Sequence, residues 1–64
     1  MGIGDIKTVV ALWTQVTIVD MIGDRLYAGN AQDIPRDMLD MVVEGLEPCH
    51  DYNRDEDYLW IEVL

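Results

Sequence analysis

The sequence predicts an α+β fold: a small antiparallel sheet of about four strands with two short helices, in the order α-β-β-α-β-β. Three observations predict it. Val16–Met21 and Arg25–Gly29 are strand-like runs on either side of Gly23-Asp24, a hairpin signal. Ile34-Pro35 follows a polar turn and opens a second helix. Tyr58–Leu64 closes the sequence with strict alternation, Leu59, Ile61 and Val63 on one face.

The first element is read as a helix over residues 6–13. Asp5 is a natural N-cap after Gly2-Ile3-Gly4, and Ile6, Val9, Val10 and Trp13 fall at i, i+3, i+4 and i+7. The β-branched run Thr8-Val9-Val10 keeps a strand open as the competing reading. Thr14-Gln15 is the connector. A two-residue Gly-Asp turn of type II′ sets Ile22 opposite Arg25, Met21 opposite Leu26, Asp20 opposite Tyr27 and Val19 opposite Ala28. Val19, Met21, Leu26 and Ala28 then make an apolar face, and Ile18, Asp20, Arg25 and Tyr27 a mixed one. A longer Ile22–Arg25 loop is the rival.

Asn30–Asp33 is turn-like. A helix from Pro35 to about Met41 buries Ile34, Met38 and Met41 or Val42, with Asp33 and Asp37 near its positive end. A short strand, Val42–Glu47, stops at Pro48. One longer helix to Glu44, capped by Gly45, is the alternative. Cys49–Asp57 reads as a polar loop. In the last strand Tyr58, Trp60, Glu62 and Leu64 share the second face. Trp60 has no obvious cover there, so Tyr58, Trp60 and Leu64 are the expected homodimer interface, unless the first helix lies over them.

A chain of 64 residues forms one domain, residues 1–64, and buries too little surface to be strongly stable alone. Half of its residues are hydrophobic, which excludes a disordered tail. The lone cysteine allows no internal disulfide, and self-association is the expected compensation. No basic, apolar leader opens the sequence, and its most apolar window, Val9–Ile22, contains Gln15 and Asp20. Met1-Gly2 lacks the Ser or Thr that a myristoylation signal needs, because Ile6 stands there. A cytoplasmic location is expected, with no membrane contact.

The formal net charge is −9, and it is uneven. Between Asp33 and Asp57 stand nine carboxylates and only two cations, Arg36 and Arg54. Direct binding to nucleic acid or anionic lipid is disfavoured by repulsion. A basic protein partner is permitted, and ordinary solubility explains the charge as well. The candidate contact residues are Asp33, Asp37, Asp40, Asp51, Asp55, Glu56 and Asp57.

Other constellations are weaker. Asp51, Asn53, Asp55, Asp57 and Glu62 occupy the oxygen-ligand positions of a calcium loop, but Glu56 stands where the sharp turn needs Gly. Cys49-His50 offers two zinc ligands where a structural site needs four. His50 is the only histidine and adjoins the only cysteine, which suits neither a nucleophile pair nor general-base chemistry. Asp20 and Tyr27, if they meet, are a structural cross-strand pair. No enzyme activity and no cofactor are expected.

The run IVDMIGDRLYAGNAQDIPRDML, then VVEGLEP and the closing YLWIEVL, resembles a group of very short acidic proteins of bacteriophages and mobile elements. The carriers are Asp20, Tyr27, Gly29, Ala31, Asp33, Ile34, Pro35, Leu39, Leu59, Ile61, Glu62 and Val63. They are structural punctuation spread over about Ile6–Leu64. The long Cys49–Asp57 loop and the short Thr14-Gln15 connector depart from the group. In general character the chain is also similar to anti-CRISPR proteins. The resemblance implies an inhibitor that occupies a basic nucleic-acid groove on a CRISPR effector in the host cytoplasm. It assigns no functional residue. The remaining expectation is a structural or assembly module that homodimerises through its last strand.

Overall fold

A computed structural model describes residues 1–64. One helix, α1 (Ile3–Val9), precedes four strands: β1 (Gln15–Val19), β2 (Arg25–Asn30), β3 (Val43–Asp51) and β4 (Glu56–Val63). The order across the sheet is β2-β1-β4-β3. The two hairpins are antiparallel, whereas β1 and β4 run parallel at the centre, so the sheet is mixed and not antiparallel throughout. The α+β class holds. The expected second helix is replaced by two 3₁₀ turns, Ala31–Asp33 and Arg36–Met38.

The core lies on one face of the sheet. Ile3 and Ile6 of α1, Val16 and Ile18 of β1, and Ile61 and Val63 of β4 pack together with Ala31, Ile34 and Met38 of the β2–β3 connection. No polar side chain is buried. Both central strands point their even spacing of aliphatics inward, with Val16 beside Leu59 and Ile18 beside Ile61. No helix is long and apolar enough to cross a membrane.

The helix starts and ends earlier than the 6–13 span. Gly2 is its N-cap and bridges to Val42, while Asp5 Oδ2 accepts from the Gly2 amide at 2.9 Å. Ile3 N donates to Met41 O at 3.0 Å and Gly4 N to Leu39 O at 2.9 Å. A Cβ on Gly2 would lie 3.3 Å from Leu39 O, a tight contact that glycine avoids. The β-branched residues Thr8 and Val9 weaken the last turn, and Val10 is already extended. Ile6 and Val10 face inward, but Val9 and Trp13 are solvent-exposed, Trp13 by 77%.

The expected second helix does not form. The Pro35–Met41 backbone closes instead with i→i+3 bonds: Met38 N to Pro35 O, Leu39 N to Arg36 O, Met41 N to Met38 O. The Leu39 and Met41 carbonyls accept from the N-terminal segment, which competes with the longer helix to Glu44, where those carbonyls would have intrahelical partners.

The first hairpin turns on Asp20. Its Oδ1 accepts from Ile22 N at 3.0 Å and Asp24 N at 2.9 Å, which makes Asp20–Asp24 the loop, with Gly23 at φ 91°. Asp20 therefore leaves the strand and does not pair with Tyr27. The register is Ile18–Tyr27 and Thr17–Ala28, with a bulge after Ile18. The expected faces do not hold: Ile18, placed on the mixed face, is inside with Val16, and of the expected apolar face Met21, Leu26 and Ala28 are exposed while Val19 alone is buried.

β3 runs through Pro48 to Asp51, past the expected stop. An edge strand tolerates proline because the missing N–H falls on its unpaired side. The expected loop Cys49–Asp57 shrinks accordingly to residues 52–55.

Truncating the central pair tests this core. Ile18→Ala or Ile61→Ala is expected to destabilise the fold by about 2–5 kcal/mol in urea unfolding. Trp13→Ala, at an exposed site, should change stability by less than about 0.5 kcal/mol. Equal effects at the three positions would contradict the one-sided core.

Candidate functional site

Every covering element sits on the core face, so the other face of the sheet is bare. Strand alternation and register decide what it carries. On β4, Glu56, Tyr58, Trp60 and Glu62 point to this side, since Leu59, Ile61 and Val63 point to the core. Their β3 partners are Asp51 opposite Glu56, Cys49 opposite Tyr58, Glu47 opposite Trp60 and Gly45 opposite Glu62. On β1, Gln15 and Thr17 share the face, with Thr17 beside Trp60. Two half-buried aromatic rings are thus set among four carboxylates.

The details fit this placement. Trp60 Nε1 donates to Glu62 Oε1 at 3.2 Å, which ties the indole to the carboxylate two residues on. The Tyr58 hydroxyl is pushed above its ordinary value, first by desolvation and then by neighbouring Cys49, Asp51 and Glu47. The field over this part of the sheet is negative enough to oppose another negative charge. A polar groove of about 590 Å³ crosses the face between Asn30, Thr17 and Tyr58, and Asp33, Asp51 and Glu56 reach it. Arg25 and Arg54 stand at its rim, and Arg54 Nε lies 3.8 Å from Glu56 Oε2.

Of the seven carboxylates expected to make contact, three therefore converge: Asp33, Asp51 and Glu56. Asp37 and Asp40 are exposed on the connection between β2 and β3 and do not reach the groove. Asp55 and Asp57 engage His50 instead. His50 Nδ1 lies 2.7 Å from Asp57 Oδ1, and Nε2 lies 3.1 Å from Asp55 Oδ1. Asp51 caps the hairpin turn as well, its Oδ1 accepting from Asn53 N at 2.9 Å and Arg54 N at 3.3 Å.

The calcium-loop spacing does not become a site. Asp51 turns into its own loop, Asp57 faces His50, and Glu62 lies far along β4 beside Trp60. No group of three or more His, Cys, Asp or Glu side chains is placed to share an ion. Cys49 and His50 are adjacent strand residues whose side chains leave opposite faces, so they do not act together.

Tyr58, Trp60 and Leu64 are not one patch. The two rings lie in the groove region or beside it, whereas Leu64 ends the sheet and donates its amide to Val42 O at 3.1 Å. Glu47 and Glu62 flank the rings, and neither belonged to the expected contact set. The signal for Glu47 was alternation through Glu47-Pro48-Cys49-His50-Asp51, masked because Pro48 read as a strand stop, whereas alternation in the last strand had already set Glu62 beside Trp60.

Comparison of the chain with models of protein families, with curated proteins and with solved structures finds no match.

Proposed function

We propose that this protein is an interaction module that docks a basic nucleic-acid-binding protein on the bare face of its sheet and thereby inhibits it. One observation carries the reading: Tyr58 and Trp60 lie half-buried on the sheet face away from the core, with Glu47, Asp51, Glu56 and Glu62 around them. An indole edged by carboxylates suits an arginine side chain. The guanidinium stacks on the ring while its N–H groups reach the acids. The net charge of −9 draws a cationic partner from a distance and repels its nucleic acid. Among such partners, the resemblance to anti-CRISPR proteins favours a CRISPR effector in the host cytoplasm, with this chain in the place of phosphates.

The test is binding to an eight-residue arginine peptide, followed through Trp60 fluorescence in a Trp13→Phe background. Affinity should fall at least about tenfold between 50 and 500 mM salt, as screening shortens the reach of charge. Glu47→Gln with Glu62→Gln should weaken binding about three- to tenfold at low salt. Against an effector, the wild type should displace guide or target nucleic acid and the double variant should not. Salt-indifferent binding, or full activity of the double variant, would rule the reading out.

A second reading, homodimerisation, is favoured by the end of the sheet opposite the β3–β4 tip. Met21, Ile22 and Leu64 are 69%, 82% and 66% exposed there. Parallel β1 and β4 finish at the same end, which brings this apolar group together. Like charges oppose a dimer through the carboxylate face, so the contact would use this end. Sedimentation should then show a dimer that Leu64→Asp dissociates; a monomer at every concentration would exclude it.

A further inference from the structure

We propose that His50, Asp55 and Asp57 form a proton-operated latch on the tip of the β3–β4 hairpin, closed while the imidazole is protonated and released when it is neutral. Both ring nitrogens face a carboxylate oxygen, Nδ1 to Asp57 at 2.7 Å and Nε2 to Asp55 at 3.1 Å. Only imidazolium carries an N–H on each nitrogen and donates to both. After loss of the proton, one nitrogen presents a lone pair to an oxygen anion. The shorter bond, to Asp57 on β4, is the one retained. Asp55, in the turn, is the one released.

Asp55 is the single non-glycine residue at positive φ, 52°, in the left-handed region that aspartate adopts in turns more readily than most residues. Its carboxylate is otherwise fully in water. Around the imidazole the remaining groups are Asp51, whose charge favours the protonated ring, and the Tyr52 ring, edge-on at 4.8 Å. Cys49 and Tyr58 adjoin the same hollow, and from the α1–β1 connection only the uncharged Val10 and Thr14 line it. The His50 imidazole is held above its ordinary value, chiefly by the hydrogen bond to Asp57, against a smaller desolvation effect.

The sign follows from that direction. The folded value exceeds the unfolded one, so the latch contributes fully below about pH 6.5, provided carboxylates are ionised above about pH 5. Its contribution is lost as pH rises through the folded His50 value. Opening returns one free carboxylate, that of Asp55, to the tip that carries Asp51 and Glu56. The latch is a property of the isolated protein and stands whether or not the bare face docks a partner.

The experiment is an NMR titration of the full chain, where the sole histidine gives an unambiguous imidazole signal. Its midpoint should lie above 6.5. Amide exchange across residues 53–56, corrected for the intrinsic rate, should be about two- to fivefold faster above the midpoint than below it. Asp57→Asn should lower the midpoint and remove the pH dependence of exchange. His50→Gln should show the faster exchange at every pH. A wild-type midpoint at or below 6.5 would overturn the latch, as would tip exchange that ignores the titration.

Discussion

The parallel pairing of β1 with β4 is the constraint on which the rest of the molecule depends. It places the two most aliphatic strands side by side at the centre and aligns Val16 with Leu59 and Ile18 with Ile61. That alignment makes one continuous apolar surface, large enough to seat α1 and the β2–β3 connection but only once. Only ten residues of the whole chain are buried, and a chain this short has no further element to build a second layer. The bare face is a consequence of size. Its composition is a consequence of alternation, because whatever separates inward aliphatics on β4 must point outward.

Polar side chains then shape what the strands leave open. Asp20 and Asp51 do the same work at the two hairpins, each accepting backbone amides in its own turn. Asp5 steadies the helix start in the same way. Such carboxylates are structural even in a strongly acidic chain. Asp55 and Asp57 converge on His50, which places the only histidine where two of the most exposed acids would otherwise repel each other. Glu47, Glu56 and Glu62 have no such duty, and they stand beside the aromatic rings. Some of the acidic residues thus serve turns, some face His50 and some stand on the open face, while Asp37 and Asp40 are exposed on the β2–β3 connection.

Much of this was legible from residue pattern. The alternation of Leu59, Ile61 and Val63 located the central strand and its inward face. Ile6 marked the buried side of the helix, though Val9 and Trp13 of the same expected stripe are exposed, and Gly23 gave the first turn. The rest needed information that is not local. The β1–β4 register pairs residues 43 positions apart, and no turn chemistry sets it. Asp20 read as a strand residue until its carboxylate was seen to close the loop, and this overturned the expected faces of the hairpin. Pro48 marks a strand end only if the strand is interior; on an edge it is tolerated. The helix expected after Pro35 is replaced by i→i+3 turns whose Leu39 and Met41 carbonyls bond the N-terminal segment. For the candidate site, Asp33, Asp51 and Glu56 of the expected contact set line one groove. Glu47 was missed because Pro48 was misread; Glu62 was placed on the right face but not counted among the contact carboxylates.

The central claim is that all cover lies on one side of a mixed sheet, leaving Tyr58 and Trp60 accessible. Solvent paramagnetic relaxation by a soluble, uncharged probe measures this directly. The account predicts strong enhancement at the Tyr58 and Trp60 rings and almost none at the Ile3, Ile6, Ile18 and Ile61 methyls. Shielded rings together with relaxed Ile3 and Ile6 methyls would place the helix on the wrong face and contradict it.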